Sequence, residues 1–177
     1  MPGPVKHGLE PLLCPNARVL ILGSLPGDES LRQQRYYAHP QNQFWRIIAA
    51  AHDVAAFDSY DAQLAFLKTK YIAVWDVLAA AERTGSLDTA IKKPVPNEFG
   101  PLLQRHSTLQ AIAFNGQKAA ALFKRHVAPQ LTAALNGLNA TVLPSTSPAA
   151  AMLSFDQTVS QWRVFLSDAT RPSTPRR

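Results

Sequence analysis

Turn-forming, hydroxylated and amide residues recur in this 177-residue sequence, and each group of them directly follows an apolar run. Gly23-Ser-Leu-Pro-Gly27 ends the first run, and the loop Tyr36-Tyr-Ala-His-Pro-Gln-Asn-Gln-Phe-Trp45 follows soon after it. Asn115 comes after a later run, and Pro144-Ser-Thr-Ser-Pro148 follows the last one. These residues supply backbone N–H groups, carboxamides, hydroxyls and aromatic rings, which together can bind a planar, polar ligand.

The same residue types are suited to reading a nucleobase. The turn that contains Ser24, Pro26 and Gly27 exposes backbone N–H groups that can hold an anion or a carbonyl oxygen. Tyr36 or Tyr37 can stack on a planar ring, and a carboxamide both donates and accepts, which suits the mixed edge of a base. A base extruded from a duplex is read by this combination of stacking and edge contacts.

Other chemistries are disfavoured by the motifs that the sequence lacks. Ser24 does not occupy the central position of a nucleophile elbow, and no P-loop or dinucleotide-binding glycine pattern is present. The five histidines lack the spacing of metal ligands, so we expect no metal and no cofactor. Cys14 is the single cysteine, which excludes an internal disulfide and a four-cysteine metal site.

Four apolar, strand-sized runs alternate with helical patterns and must position these residues. The runs cover residues 17–23, 71–77, 109–114 and 140–143, and the helical patterns cover residues 43–52, 61–68, 117–135 and 155–167. Ser154 and Gln157 form a capping-box pattern for the last helix. This alternation predicts an α/β fold, a three-layer sandwich with a mostly parallel four-stranded sheet. Trp75 and Asp76 lie near the end of the second strand, where such sheets bind ligands.

The remaining segments bound the domain and its surroundings. Residues 80–101 are rich in Gly, Pro, Ser and Thr, which predicts a long excursion with a short helix after Asn97. We expect one domain over residues 1–169 and a disordered basic tail over residues 170–177. No run reaches the ~20 apolar residues of a membrane helix and no signal pattern is present, so a cytoplasmic protein is expected, nucleoid-associated if bacterial. Lys and Arg outnumber Asp and Glu by 18 to 12, which is compatible with nucleic acid as a partner.

Three segments, in order along the chain, resemble the uracil-DNA glycosylase superfamily. They are Gly23-Ser-Leu-Pro-Gly27, Tyr37-Ala-His-Pro-Gln-Asn-Gln-Phe-Trp45 and Leu143-Pro-Ser-Thr-Ser-Pro148. The sequence is most similar to the hypoxanthine (deoxyinosine)-DNA glycosylase branch, which residues 74–78, 85–88 and 114–116 also resemble. The resemblance implies a monomeric, monofunctional glycosylase of base excision repair. Such an enzyme flips a deaminated base, hypoxanthine by preference, out of double-stranded DNA and leaves an abasic site.

The resemblance also implies roles for individual residues. Asn42, the asparagine of the His-Pro-x-Asn pattern, matches the catalytic residue of the hypoxanthine branch. Mismatch-specific relatives carry a water-positioning asparagine where this sequence has Leu25, which cannot do that job. The predicted base-binding residues, which line one pocket, are Ser24, Leu25, Pro26, Tyr37, Trp75, Asp76 and Asn115.

Contacts to the DNA backbone are implied by the same resemblance. The small polar residues of the last motif contact phosphates, and the residues after it wedge into the minor groove. Relatives often carry an asparagine where this sequence has Ala149 and Ala150, so the wedge itself is not identified. The predicted DNA-binding residues, taken from these segments, are Gly27, His39, Ser145, Thr146, Ser147 and Ala149.

Several alternatives remain open from the sequence alone. A uracil or G/U mismatch-specific glycosylase is one, because Leu25 does not settle purine against pyrimidine. A non-catalytic nucleic-acid-binding domain of the same fold is another, and a hydrolase of free nucleosides is a third. At the level of single residues, Asn42 also fits the cap of the helix near Gln43, and Asp76 also fits a bond to nearby backbone.

Overall fold

The computed structural model describes residues 2–150 and 152–170, so residues 171–177 of the predicted tail lie outside the described residues. In chain order the strands are β1 (Val5–His7), β2 (Val19–Gly23), β3 (Ile72–Asp76), β4 (Leu78–Glu82), β5 (Lys92–Pro96), β6 (Ala111–Asn115) and β7 (Asn139–Leu143). The helices are α1 (Asp28–Gln33), α2 (Phe44–Ala51), α3 (Tyr60–Thr69), α4 (Phe99–Arg105), α5 (Gln117–His126), α6 (Thr132–Leu135) and α7 (Phe155–Ala169).

The central sheet is parallel and has the strand order β3-β2-β6-β7. Strand β2 lies inside it and is buried along its whole length, as its unbroken apolar run predicts. Because successive side chains of a strand point to opposite faces, Val19 and Ile21 belong to one core cluster while Leu20 and Leu22 belong to the other. The predicted four-stranded parallel sheet is therefore confirmed.

Helices cover both faces of this sheet, which makes three layers. Phe44 of α2 and Trp162 of α7 pack edge to face on one side, with ring centroids 6.0 Å apart. Phe99 of α4 and Phe123 of α5 pack in the same way on the other side, with centroids 5.3 Å apart. None of the helices in the described residues is long and apolar enough to cross a membrane.

Residues 80–101, predicted as a long excursion with a short helix, also contain strands that the sequence analysis did not predict. Strands β4 and β5 form a second, antiparallel sheet with β1, in the order β1-β4-β5. The β4 sequence consists largely of alanine, so it lacks the β-branched residues that mark a strand. Strand β5 contains Pro94 and Pro96, and it is an edge strand, where a missing N–H donor is tolerated. The short helix expected after Asn97 is α4.

The long helix predicted over residues 117–135 is broken into pieces. Helix α5 ends at His126, a 3-10 turn spans Ala128–Gln130, and α6 follows. Pro129 has no N–H to donate and cannot continue an α-helix, which explains the break. The capping box of α7 is confirmed, since Ser154 Oγ accepts from Gln157 N and Gln157 Oε1 accepts from Ser154 N.

Candidate active site

The polar residues predicted from strand ends meet at the carboxyl edge of the parallel sheet. Gly23 of β2 lies opposite Asp76 of β3, and Asn115 of β6 lies opposite Leu143 of β7. Thr146 follows β7 and contacts Asn115 directly. This edge is where parallel α/β sheets place their ligands.

Two asparagines from distant parts of the chain are joined through one buried threonine. Asn115 Nδ2 donates to Thr146 Oγ1 over 2.9 Å, and Thr146 Oγ1 in turn donates to Asn42 Oδ1 over 2.9 Å. The Thr146 backbone N–H donates to Asn115 Oδ1 at 2.9 Å, and its carbonyl accepts from Gln43 N at 3.0 Å. Thr146 is only 2% exposed, so water does not compete for these bonds.

The network fixes which end of the Asn42 carboxamide is free. Its Oδ1 accepts from Thr146 Oγ1 and from the backbone N–H of Phe44, each at 2.9 Å, which uses both lone pairs. Within the described residues Nδ2 has no acceptor, so Asn42 presents a donor to the site. The bond to Phe44 satisfies one open N–H at the start of α2, where Gln43 is the cap residue. Asn42 therefore does support the helix start, and this leaves its amino group available for chemistry.

The structure separates the two neighbouring tyrosines. Tyr36 is 3% exposed and its hydroxyl donates to the Glu10 carbonyl at 2.9 Å, so it is a core residue. One face of Tyr37 stacks on Phe44 with ring centroids 4.0 Å apart. Tyr37 has a φ of 54°, a left-handed conformation that a bulky residue adopts only where its surroundings hold it. Its half-exposed ring is thus held in place beside the asparagine network.

The buried carboxyl of Asp76 and the hydroxyl of Tyr37 face the same glycine. A Cβ built on Gly23 would lie 2.5 Å from Asp76 Oδ1 and 3.2 Å from the Tyr37 hydroxyl, so only glycine fits there. Asp76 Oδ2 is buried and lacks a hydrogen-bond partner within the described residues. Burial raises the pKa of Asp76 to about 7, the charge of Asp88 adds to the rise, and Arg83 opposes it. An unpartnered, buried carboxyl oxygen at this edge of the sheet favours a site that a ligand completes.

Replacing Asp76 with asparagine should stabilise the protein more at pH 8 than at pH 5. The carboxyl has an ordinary pKa of 3.8 in the unfolded chain and about 7 in the fold, so between these values the folded state binds more protons. The free energy of unfolding of the wild type therefore falls as pH rises through this window, and the asparagine variant lacks that loss. Thermal unfolding from pH 4 to pH 8 measures the difference, with the exposed Asp58→Asn as control. An equal effect of Asp76→Asn at both pH values would contradict a buried, neutral carboxyl.

The first motif places backbone rather than side chains at the site. Ser24, Leu25 and Pro26 are buried, and the Leu25 side chain packs in one of the two core clusters. The Ser24 hydroxyl donates to Asp88 Oδ1 at 2.5 Å, so it faces away from solvent. Main-chain groups of this loop are therefore the ones left to contact a ligand.

Two of the predicted residues have contacts of their own outside the asparagine network. The Trp75 indole N–H donates to the Leu9 carbonyl at 3.2 Å, and its ring packs on Phe99 at a centroid distance of 5.0 Å. Both the ring and the N–H of Trp75 are therefore engaged in contacts within the fold. His39 is exposed, and its Nδ1 accepts from Gln41 N at 3.1 Å, which shapes the turn before Asn42.

The residues of the second motif divide between the interior and the surface. Thr146 was expected at the phosphates, yet its hydroxyl is held by the two asparagines. Ser145 and Ser147 are half-buried, and Ala149 is exposed. Met152, three residues further on, is 94% exposed.

A cleft adjoins this site, and the sequence analysis missed two residues that bind the first motif. The cleft measures about 340 Å³, within the range of ligand sites, and Tyr37, Asn42 and Arg46 are among its lining residues. The missed residues are Arg83 and Asp88, which bind the first motif from the segment predicted to be an excursion. Only the similarity of residues 85–88 to the glycosylase branch pointed to Asp88, and nothing pointed to Arg83. No group of three metal-ligating side chains is present in the described ranges.

Comparisons with known proteins found similar sequences over most of the chain. A family model described as the uracil DNA glycosylase superfamily matches residues 10–168. A protein named hypoxanthine DNA glycosylase from Methanosarcina barkeri is 40% identical over 116 residues, covering 64% of this chain and 73% of that protein. Its namesake from Methanosarcina acetivorans is 42% identical over 116 residues, covering 65% and 73%.

A solved structure is similar over nearly the whole chain. It is a solution NMR structure from Methanosarcina acetivorans, described as that of a candidate uracil DNA glycosylase. It matches 95% of this chain and 100% of its own, with a TM-score of 0.80 and 36% sequence identity.

Proposed function

We propose that this chain, which belongs to the uracil-DNA glycosylase superfamily and is a DNA N-glycosylase, removes hypoxanthine from double-stranded DNA. Two relatives that carry the name hypoxanthine DNA glycosylase support this choice of base. The observation that carries the proposal is the network from Asn115 through Thr146 to Asn42, which leaves the Asn42 amino group as a fixed donor. In this proposal the protein acts as a monomer in base excision repair.

The proposed reaction needs no protein nucleophile. The bond between C1′ of the sugar and N9 of hypoxanthine breaks, and its electron pair stays with the base. The sugar becomes oxocarbenium-like, a water adds to C1′, and the proton that this water loses ends on the departing base anion. The half-exposed Tyr37 ring stacks on the flipped base, while Asn42 Nδ2 donates to the base as negative charge develops on it. Fixed donors cost no reorganisation during the reaction, which is their catalytic advantage.

Backbone groups complete the proposed base site. The N–H groups of Ser24 and Leu25 have no acceptor within the described residues, although both residues are buried. Buried N–H groups of this kind are normally paired, and an oxygen or nitrogen atom of the base would pair them. Asp76 and Asn115 lie at the same edge of the sheet and belong to the proposed base site.

The DNA backbone is proposed to lie across the exposed residues around this site. Ser145, Ser147 and the Gly27 backbone would contact phosphates, and His39 and Ala149 would lie against the strand. The net charge of +6 favours such contacts, which weaken as salt concentration rises. Met152 is the exposed apolar side chain best placed, after this motif, to enter the minor groove.

Cleavage of a labelled duplex that contains one deoxyinosine tests the function. We expect strand breakage only after alkali, because the three motif segments contain no lysine for Schiff-base chemistry and the product is an abasic site. Breakage without alkali would contradict a monofunctional enzyme. A matched deoxyuridine duplex tests the second candidate, uracil, which the description of the similar NMR structure favours. Cleavage at deoxyuridine alone would overturn the choice of hypoxanthine.

A further inference from the structure

The loop of residues 23–27, here called the first-motif loop, is anchored through every one of its carbonyl groups. Backbone N–H groups hold three of them: Val77 donates to Gly23 at 2.8 Å, Leu78 to Ser24 at 3.1 Å, and Leu31 to Gly27 at 3.0 Å. The buried guanidinium of Arg83 holds the other two. Its Nη1 donates to the Leu25 carbonyl at 3.3 Å, and its Nη2 donates to the Pro26 carbonyl.

Anchored carbonyls determine where the N–H groups of the loop point. The peptide bonds here are trans, and in a trans peptide unit the C=O and N–H bonds point in opposite directions. A carbonyl of Pro26 held by Arg83 therefore aims the N–H of Gly27 away from Arg83. The carbonyls of Gly23 and Ser24 likewise aim the N–H groups of Ser24 and Leu25 away from their anchors. Within the described residues these three N–H groups have no acceptor.

Arg83 reaches the loop from the second sheet and is 1% exposed. It directly follows β4, and no salt bridge joins its guanidinium to a carboxylate within the described residues. Its Nε has no partner there either, so its defined contacts are the two loop carbonyls. A buried cation is costly unless it is well partnered, and lysine could not bridge two carbonyls with the same planar fork.

Neighbouring side chains of the same segment hold the loop as well. Ser86 Oγ accepts from the Asp28 N–H at 2.9 Å, and Asp88 accepts from the Ser24 hydroxyl. Residues 83–88 thus contact both ends of the first-motif loop. This concentration of contacts on one loop is difficult to explain by the stability of the second sheet alone.

We infer that Arg83 is a positioning residue for base removal, because it holds the first-motif loop with its N–H groups facing the substrate. Arg83 itself touches no substrate and acts through the carbonyls of Leu25 and Pro26. The inference rests on one part of the proposed function, which is that the first-motif loop faces the flipped base and the DNA strand. It does not depend on which base the enzyme removes.

Substitution of Arg83 by methionine and by lysine tests the inference. Methionine removes the fork, and lysine keeps the charge but can hold only one carbonyl well. Because a small displacement of a group that contacts the substrate slows a reaction strongly, we expect Arg83→Met to lower the single-turnover rate of base release about tenfold or more. Arg83→Lys should restore part of the rate, and in both variants the Kd for undamaged duplex, which depends on many phosphate contacts besides the Gly27 N–H, should change by a smaller factor than the rate. Lys93→Met, which removes an exposed charge from the same small sheet, is the matched control and should keep the wild-type rate.

The outcomes separate a positioning role from a structural one. If Arg83 only stabilises the fold, rate and DNA binding should fall together with the folded fraction measured by circular dichroism at the assay temperature. A folded Arg83→Met with a rate within twofold of the wild type would overturn the inference. If Arg83→Met does not fold, Arg83→Lys decides in the same way. A wild type that releases uracil but not hypoxanthine would refute only the proposed function, because the comparison is made on the base that the wild type releases.

Discussion

Replacing Asn42 with alanine should lower the single-turnover rate of hypoxanthine release by a factor of about 10²–10³, the usual effect of losing one preorganised donor. The Asn42 amino group is the free end of a carboxamide whose oxygen is fully occupied by Thr146 and Phe44. Alanine also leaves the Phe44 N–H without its acceptor, so we expect a loss of about 0.5–2 kcal/mol of stability. Rates measured by quench-flow at a temperature where both proteins are folded isolate the catalytic effect.

Asn42→Asp distinguishes the two ends of the side chain. Aspartate keeps both acceptor bonds and should keep the stability of the wild type. It lacks the amino group, however, and adds negative charge where the leaving base becomes negative, so its rate should be at least as low as that of Asn42→Ala. An active Asn42→Asp would show that an oxygen of this side chain, acting on water, is what the reaction requires.

Thr146→Val should produce the second large effect, although Thr146 contacts no substrate in this account. Valine has nearly the same shape, and the backbone bonds to Asn115 and Gln43 survive the change. The hydroxyl bridge is lost, which leaves the half-buried Asn115 Nδ2 without this acceptor and costs about 0.5–1.5 kcal/mol. Since both asparagines lose a contact that orients them, the rate of base release should fall about 10-fold to 100-fold. Chemical denaturation and single-turnover kinetics measure the two losses separately.

Thr146→Ser is the matched control for this prediction. Serine keeps the hydroxyl and therefore both bonds of the bridge, and it loses only a methyl group. Its rate should stay close to the wild type. If Thr146→Ser and Thr146→Val were equally slow, the methyl group and its packing would matter and the hydroxyl bridge would not.

The central sheet was predictable because burial on both faces gives a strand such as β2 a continuous apolar run, which the sequence of that strand alone shows. Residues 17–23 form an apolar run too short for a membrane span and flanked by turn residues, which leaves a buried strand as the natural reading. The second sheet was not predictable by the same reasoning. Strand β4 is mostly alanine and β5 contains two prolines, so neither has a local sequence pattern that marks a strand. Strand β4 instead pairs with β1, which lies more than 70 residues earlier in the chain, and β5 pairs with β4.

The site shows the same division between local and distant information. Sequence motifs were enough to single out Asn42, Asn115 and Thr146. The sequence analysis predicted that Thr146 contacts DNA, whereas in the structure its hydroxyl lies between the two asparagines. A hydrogen bond between residues 104 positions apart cannot be predicted from the spacing of residues within a motif. The contact of Arg83 with the first-motif loop could not be predicted for a similar reason, because it depends on the fold of the small sheet that carries Arg83.

Competition between two bases within one duplex tests the central claim most directly. A strand that carries one deoxyinosine and one deoxyuridine in matched sequence contexts is incubated with the wild-type protein, and the released free bases are quantified by mass spectrometry. We predict that hypoxanthine is released faster than uracil, and that Asn42→Ala abolishes nearly all of this release. Release of uracil at an equal or higher rate, or release that is unchanged in Asn42→Ala, would contradict the account.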